Sequence, residues 1–250
     1  MESQTLWLAA LLITFGAAVA TMIGFGFAIA IMPAMLLLYP PRVAVPLVLA
    51  VSACGSLVQW YRNRQDADYP LVVQLVLGAL VGLPLGGFVL QMLAAPMMKA
   101  VIGLCALAAI LATVGSRGPV RGPRRPGLIP TVGTGLSAGV LATATGQSGL
   151  AVSLLMAWAG WEKQRARATL FAYFTAVNTA ALPTLMLQGV LAPRILWLAL
   201  LLSPCYILGM ILGEVGFRRL GQEGFRFLML AMLSLSAVLS LMRGLVALAK

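Results

Sequence analysis

Two stretches decide how this chain folds: "TMIGFGFAIAIMP", Thr21 to Pro33, and "TATGQSGLAVSLL", Thr143 to Leu155. The first lies in an apolar run with no charged residue between Thr5 and Pro41. A helix that simply crosses a membrane has no use for two glycines one residue apart near its middle. A chain that reverses inside hydrocarbon does, because glycine permits backbone conformations that other residues resist. A helix through residues 5–38 would reach about 50 Å, well beyond a hydrocarbon core of about 30 Å. The sequence therefore predicts that each stretch is a break between two short helices.

Composition sets the surrounding frame. Of 250 residues, 61% are hydrophobic and 9% charged, against about 25% charged in a soluble domain. Apolar segments cover roughly 5–22, 27–39, 43–60, 70–93 and 97–114, then 128–143, 148–160, 166–186, 194–216 and 223–246. Several are long enough to span a bilayer, and they do not alternate as the strands of a barrel would. The fold class is an all-α polytopic membrane protein. "SRGPVRGPRRPG" separates the two sets and cannot be buried helix. This gives a first membrane repeat over 1–115, a cytoplasmic linker over 116–127 and a second repeat over 128–250.

The halves align. A shift of 123 pairs Gly26 with Gly149 and Arg42 with Arg165, and a shift of 127 pairs Gly82 with Gly209 and Gly86 with Gly213. Charge decides the orientation of the copies. If each first pair of segments crosses once, the basic residues divide 8 against 9. If each pair turns back, the division is 12 against 5, with Arg62, Arg64, Lys163, Arg165 and Arg167 among the majority. The second topology predicts two inverted repeats of about five segments, each opening with a short, glycine-broken pair. Both termini then lie outside the cytoplasm. The N-terminus, acidic and without a basic leader, reads as a retained helix.

Breaks of this kind leave backbone N–H groups without helical partners at the positive end of a helix dipole. Two such ends from inverted copies make an anion site near the membrane midplane. The predicted site residues are Thr21, Gly24 and Gly26 in the first half, and Thr143, Thr145, Gly146, Gln147, Ser148 and Gly149 in the second. Thr175 and Asn178, one helical turn apart, are candidates to line the path. Glu214, an acid inside a span, is the candidate for proton coupling, with Arg218 at i+4 as its expected partner. Lys163, Arg165 and Arg167 read as cytoplasmic anchors. The GxxxG spacings at Gly82/Gly86 and Gly209/Gly213 predict close helix contact.

Other chemistries find little support. Histidine is absent, and Cys54, Cys105 and Cys205 are dispersed in apolar runs, so no metal site is expected. No phosphate-binding GxxxxGK[ST] occurs, and no cofactor is called for. The net charge of +11 sits in short loops, which points to a membrane face and not to nucleic acid. The expected partners are a small anion, the lipid bilayer and, as a coupling ion, the proton. The oligomeric state is open, a homodimer being one option. A membrane enzyme lacks a nucleophile–base pair. A non-transporting subunit of a larger complex is the alternative to a transporter.

The stretches "GFGFAIAIMPAMLLLY", "GQSGLAVSLLMAWAG", "RARATLFAYF" and "LGMILGE" resemble the TauE/SafE family, the sulfite exporters and 4-toluene sulfonate uptake permeases, over nearly the whole chain. The resemblance implies a secondary transporter, in a bacterial inner membrane, of small sulfur-containing or organic anions such as sulfite, sulfonates or sulfoacetate.

Overall fold

The computed structural model describes residues 2–24, 26–93, 97, 125–159 and 163–219. Apart from residue 97, segments 97–114 and 223–246, and most of the linker, lie outside the described residues. The elements are α1 (Glu2–Ile23), α2 (Phe27–Leu38), α3 (Pro41–Asn63), a 3₁₀ turn (Arg64–Asp66), α4 (Tyr69–Met92), α5 (Leu128–Thr145), α6 (Gly149–Ala159), α7 (Lys163–Leu187) and α8 (Pro193–Arg219). Six of these helices are long and apolar enough to cross a membrane. α2 has 12 residues and α6 has 11, so each is about 16–18 Å long and falls short of a 30 Å core.

Contact registers fix the direction of every long helix. A Cβ on Gly78, Gly82 or Gly86 would strike the carbonyl of Val132, Leu136 or Val140 respectively. Residue numbers rise together, so α4 and α5 are parallel. Gly209 and Gly213 lie in the same way against the carbonyls of Thr14 and Ala18, and Gly216 lies against Met22, so α1 and α8 are parallel. Asp68 N–H donates to Thr169 Oγ1 at 3.0 Å near the starts of α4 and α7. Gln188 Nε2, just past the end of α7, donates to the Pro84 carbonyl at 3.0 Å toward the end of α4. These two are parallel as well. Arg42, at the start of α3, donates to the carbonyl of Gln91, at the end of α4, at 2.6 Å. Arg167, near the start of α7, bonds Glu214, near the end of α8.

It follows that α1, α3 and α8 run one way, and α4, α5 and α7 the other. Two consecutive long helices of the same sense, α1 and α3, require the chain between them to come back. α2 does this. A Cβ on Gly16 would collide with Ile31 and approach Phe27 to 3.3 Å, although residues 16 and 31 of one continuous helix would stand about 22 Å apart. The same logic returns the chain through α6 between the parallel helices α5 and α7. Helices that correspond under the sequence shifts therefore have opposite senses: α1 and α5, α3 and α7, α4 and α8.

Lipid offers little hydrophobic drive for helix association, so backbone proximity has to supply the packing energy. Gly135 and Gly139 complete the α4–α5 seam from the other side, against the carbonyls of Leu75 and Ala79. The GxxxG spacings of the sequence are thus both used, one in each parallel pair. Large apolar side chains such as Trp7, Leu80, Phe88, Trp197 and Leu212 are exposed on the outside, as a surface in contact with lipid requires.

Gly139→Leu should force α4 and α5 apart, because the side chain would meet backbone that cannot rotate away. Overpacking costs about 1–3 kcal/mol, so the unfolding midpoint in detergent should fall by several degrees. A leucine at Gly133, which has nothing within 4 Å of a Cβ, should leave the midpoint unchanged.

Candidate functional site

The breaks are made by glycines in left-handed conformation: Gly24 at φ 86°, Gly26 at φ 97° and Gly146 at φ 75°. No non-glycine residue among those described has positive φ. At the second break, Gly146 N–H reaches back to the Ala142 carbonyl at 2.8 Å and Gln147 N–H to that of Leu141 at 3.2 Å. These bonds close α5 and turn the chain into α6. At the first break, Gly24 N–H bonds the Ala20 carbonyl at 2.7 Å, and the Gly26 carbonyl accepts from Ala30 at 2.8 Å as α2 begins.

Between the two breaks lies a cavity of about 40 Å³. One water needs roughly 10–15 Å³ on this measure, so the space suits about three waters or a solute of about four heavy atoms. The first turn of α2 lines it from Gly26 to Ile29, and the second break lines it from Gly146 to Gly149. Ser52 and Ser56 contribute from α3, Phe171, Phe174 and Asn178 from α7, and Tyr206 from α8. Ser52 stands halfway along α3, so the cavity lies at mid-span. Gly55 is what admits Tyr206, whose ring occupies the place of a Cβ there. Phe27 then packs edge-on to that ring, 4.8 Å between centroids.

The polar atoms of this wall divide into two groups. Asn178 Nδ2 donates to Ser52 Oγ at 2.9 Å, and Ser56 Oγ is turned to the Ala53 carbonyl at 3.2 Å. Gln147, by contrast, is 1% exposed, and neither its Nε2 nor its Oε1 has a partner; Asn178 Oδ1 also lacks one. A buried amide left unpaired costs several kcal/mol in an apolar medium. Gln147 and Asn178 thus bring three unpaired amide atoms to the residues that line the cavity.

Of the residues anticipated for the site, Gly26, Gly146, Gln147, Ser148, Gly149 and Asn178 line the cavity, whereas Thr21, Gly24, Thr143, Thr145 and Thr175 do not. The threonines have other bonds. Thr21 Oγ1 accepts from Gln59 Nε2 at 2.6 Å, both residues fully buried. Thr143 Oγ1 donates to the Leu83 carbonyl on α4 at 2.6 Å. Thr145 and Thr175 donate back to the carbonyls of Leu141 and Phe171 within their own helices, each at 2.8 Å.

Glu214 Oε2 accepts from Arg167 Nη2 at 2.8 Å, a pair not expected from the sequence; the side chain of Arg218, the expected i+4 partner, lies outside the described residues. Arg167 is not a solvated anchor either. It is 5% exposed, and its side chain lies against the first break, where a Cβ on Gly24 would come within 3.0 Å of Arg167 Cγ. Arg165 does reach outward, bonding Asp68, which caps the first turn of α4 through Leu71 N–H at 3.2 Å. Tyr206 and the Gln59–Thr21 pair were not anticipated. Gln59 carried a signal, an amide within an apolar run; Tyr206 is one aromatic among many.

Fold and cavity together define a class: a multi-pass helical membrane protein whose interior cavity is built on interrupted helices. Within that class the chain belongs to the sulfite exporter TauE/SafE family, a transporter family whose model matches residues 8–240. Comparison with curated proteins and with solved structures gave no match.

Gly26→Ala should cost about 1–2 kcal/mol, the strain of an L-residue at left-handed φ, because nothing lies within 4 Å of its Cβ. Gly26→Asn should cost less, since asparagine visits this region. Gly146→Ala should cost more than Gly26→Ala, because its Cβ would also press on Met32 Cε. Thermal unfolding of the three variants gives the order. Glu214→Ala should lower stability by on the order of 2 kcal/mol by removing a charged partner of the buried Arg167 guanidinium, and Glu214→Asp should recover part of it.

Proposed function

We propose that this protein is a secondary transporter of small sulfur-containing or organic anions, of the kind represented by sulfite, sulfonates and sulfoacetate. It binds them at the cavity between the breaks and exposes that cavity to either side in turn. The observation that carries this reading is the buried, unpartnered amide of Gln147 at a cavity lined by the first turns of two short helices. Each helix start contributes roughly half a positive charge, and its first N–H groups lack carbonyls within the helix. Family membership supports transport as the activity.

The movement we infer is one half rocking against the other. Its basis is the opposite sense of corresponding helices, which is how inverted repeats are arranged in many secondary transporters. The parallel pairs α1–α8 and α4–α5 each join one half to the other through glycine, and these seams are where sliding would occur. Glu214 couples to protons only if its pair with Arg167 opens during the cycle. We place the protein in a bacterial inner membrane with both termini outside the cytoplasm, following the distribution of basic residues.

Purified protein in liposomes should take up labelled sulfite. Gly149→Leu should insert normally yet reduce uptake to background, and Gly26→Leu should do the same. Uptake unchanged in both variants would remove the cavity from the pathway. Silence of the wild-type protein across sulfite, sulfonates and short carboxylates would favour a subunit of a larger complex.

A further inference from the structure

The cavity wall contains no lysine, arginine, aspartate or glutamate among its described residues. Arg167, the cation beside the first break, is already matched by Glu214 at 2.8 Å. The positive potential available to a solute is therefore that of the two helix starts, roughly +0.5 each, or about one unit in total. One negative charge is balanced by that field. A second would be buried in low dielectric without a counterion, which is strongly unfavourable.

The unpaired atoms add a second requirement. Both ends of the Gln147 amide and Asn178 Oδ1 lack a partner, and both residues line the cavity. The Gln147 amide offers a donor and an acceptor whichever way round it lies. A fully deprotonated oxyanion is acceptor-only. It could satisfy the N–H groups but would leave carbonyl oxygens facing its own negative oxygens. A ligand with one hydrogen to donate satisfies both kinds of atom.

From this charge count and these amides we infer that the site selects singly charged oxyacids that retain a donating hydrogen. For sulfite this means the hydrogen sulfite form and not the dianion. The inference rests on the transporter reading above and narrows its substrate class: dianions such as sulfate and sulfoacetate are disfavoured. Size agrees, since about 40 Å³ holds a solute of about four heavy atoms. Gln147 is the specificity-determining residue, its carbonyl accepting the ligand's hydrogen and its NH₂ donating to an oxygen.

Binding to the wild-type protein in detergent, followed by calorimetry with sulfite, methanesulfonate and sulfate over a pH series spanning the second ionisation of sulfurous acid, tests this. Methanesulfonate stays singly charged throughout and has no acidic hydrogen, so it reports any titration of the protein itself, Tyr206 being the titratable side chain in the wall. The expected result is a sulfite affinity, per total sulfite, that falls about tenfold per pH unit above that ionisation. Methanesulfonate should bind about tenfold or more weakly than hydrogen sulfite with no pH trend, and sulfate should not bind. Gln147→Met should bring hydrogen sulfite and methanesulfonate to near-equal affinity. A sulfite affinity that is flat or rises with pH, sulfate binding as tightly as sulfite, or a preference unchanged in Gln147→Met would overturn the inference and leave the transporter reading standing. Absence of binding by all three at every pH would overturn both.

Discussion

The structure depends on one constraint: a helix cannot be interrupted in hydrocarbon unless the amide groups it releases are shielded or given partners. Both interruptions of this chain meet it by facing each other. Gly24 and Gly26 end one helix and open the next, Gly146 does the same in the second half, and protein surrounds the space between. Because α2 and α6 are too short to cross, the two breaks sit deep in the span and not at a face. A cavity between two helix starts is then a consequence of the topology.

The remainder of the molecule holds the breaks in register. α3 and α7 both line the cavity and meet through Ser52 and Asn178. The glycine seams fix α1 on α8 and α4 on α5, so the helices that lead into the breaks, α1 and α5, are each anchored to the opposite half. Thr21 and Thr143 each stand three residues before a left-handed glycine, Gly24 and Gly146, but make different bonds, one to Gln59 and one to the Leu83 carbonyl. Each ties its broken helix to a neighbour just before the break. Arg167 supports the first break from outside, its stem lying against Gly24 and its charge matched by Glu214. The two halves are related in plan and unequal in detail, and the polar detail is concentrated at the second break.

How much of this was legible in the sequence follows from the kind of residue involved. Glycine at a reversal has a backbone reason to be there, so Gly24, Gly26 and Gly146 could be read directly, as could the GxxxG seams. Gln147, Ser148 and Asn178 were found because polar side chains in apolar runs need an explanation. The threonines lie off the cavity and have bonds of their own: a hydroxyl in a helix can bond its own backbone at i−4, and Thr145 and Thr175 do so. Long-range pairs were not legible. Glu214 had a plausible partner four residues on, and nothing local pointed to Arg167 across the α7–α8 pair. Tyr206 enters the wall because Gly55 leaves room on another helix, a relation that exists only in three dimensions.

The central claim, that the polypeptide reverses within the membrane between α1 and α2, is tested most directly by a distance. Spin labels on cysteines at Leu8 and Leu37, both exposed, in a background freed of Cys54, Cys105 and Cys205, report the separation of the outer ends of the pair in liposomes. A reversed chain places them within about 20 Å, and a continuous helix about 43 Å apart at 1.5 Å per residue. The short distance is the predicted result; a single population at the long distance would contradict the account.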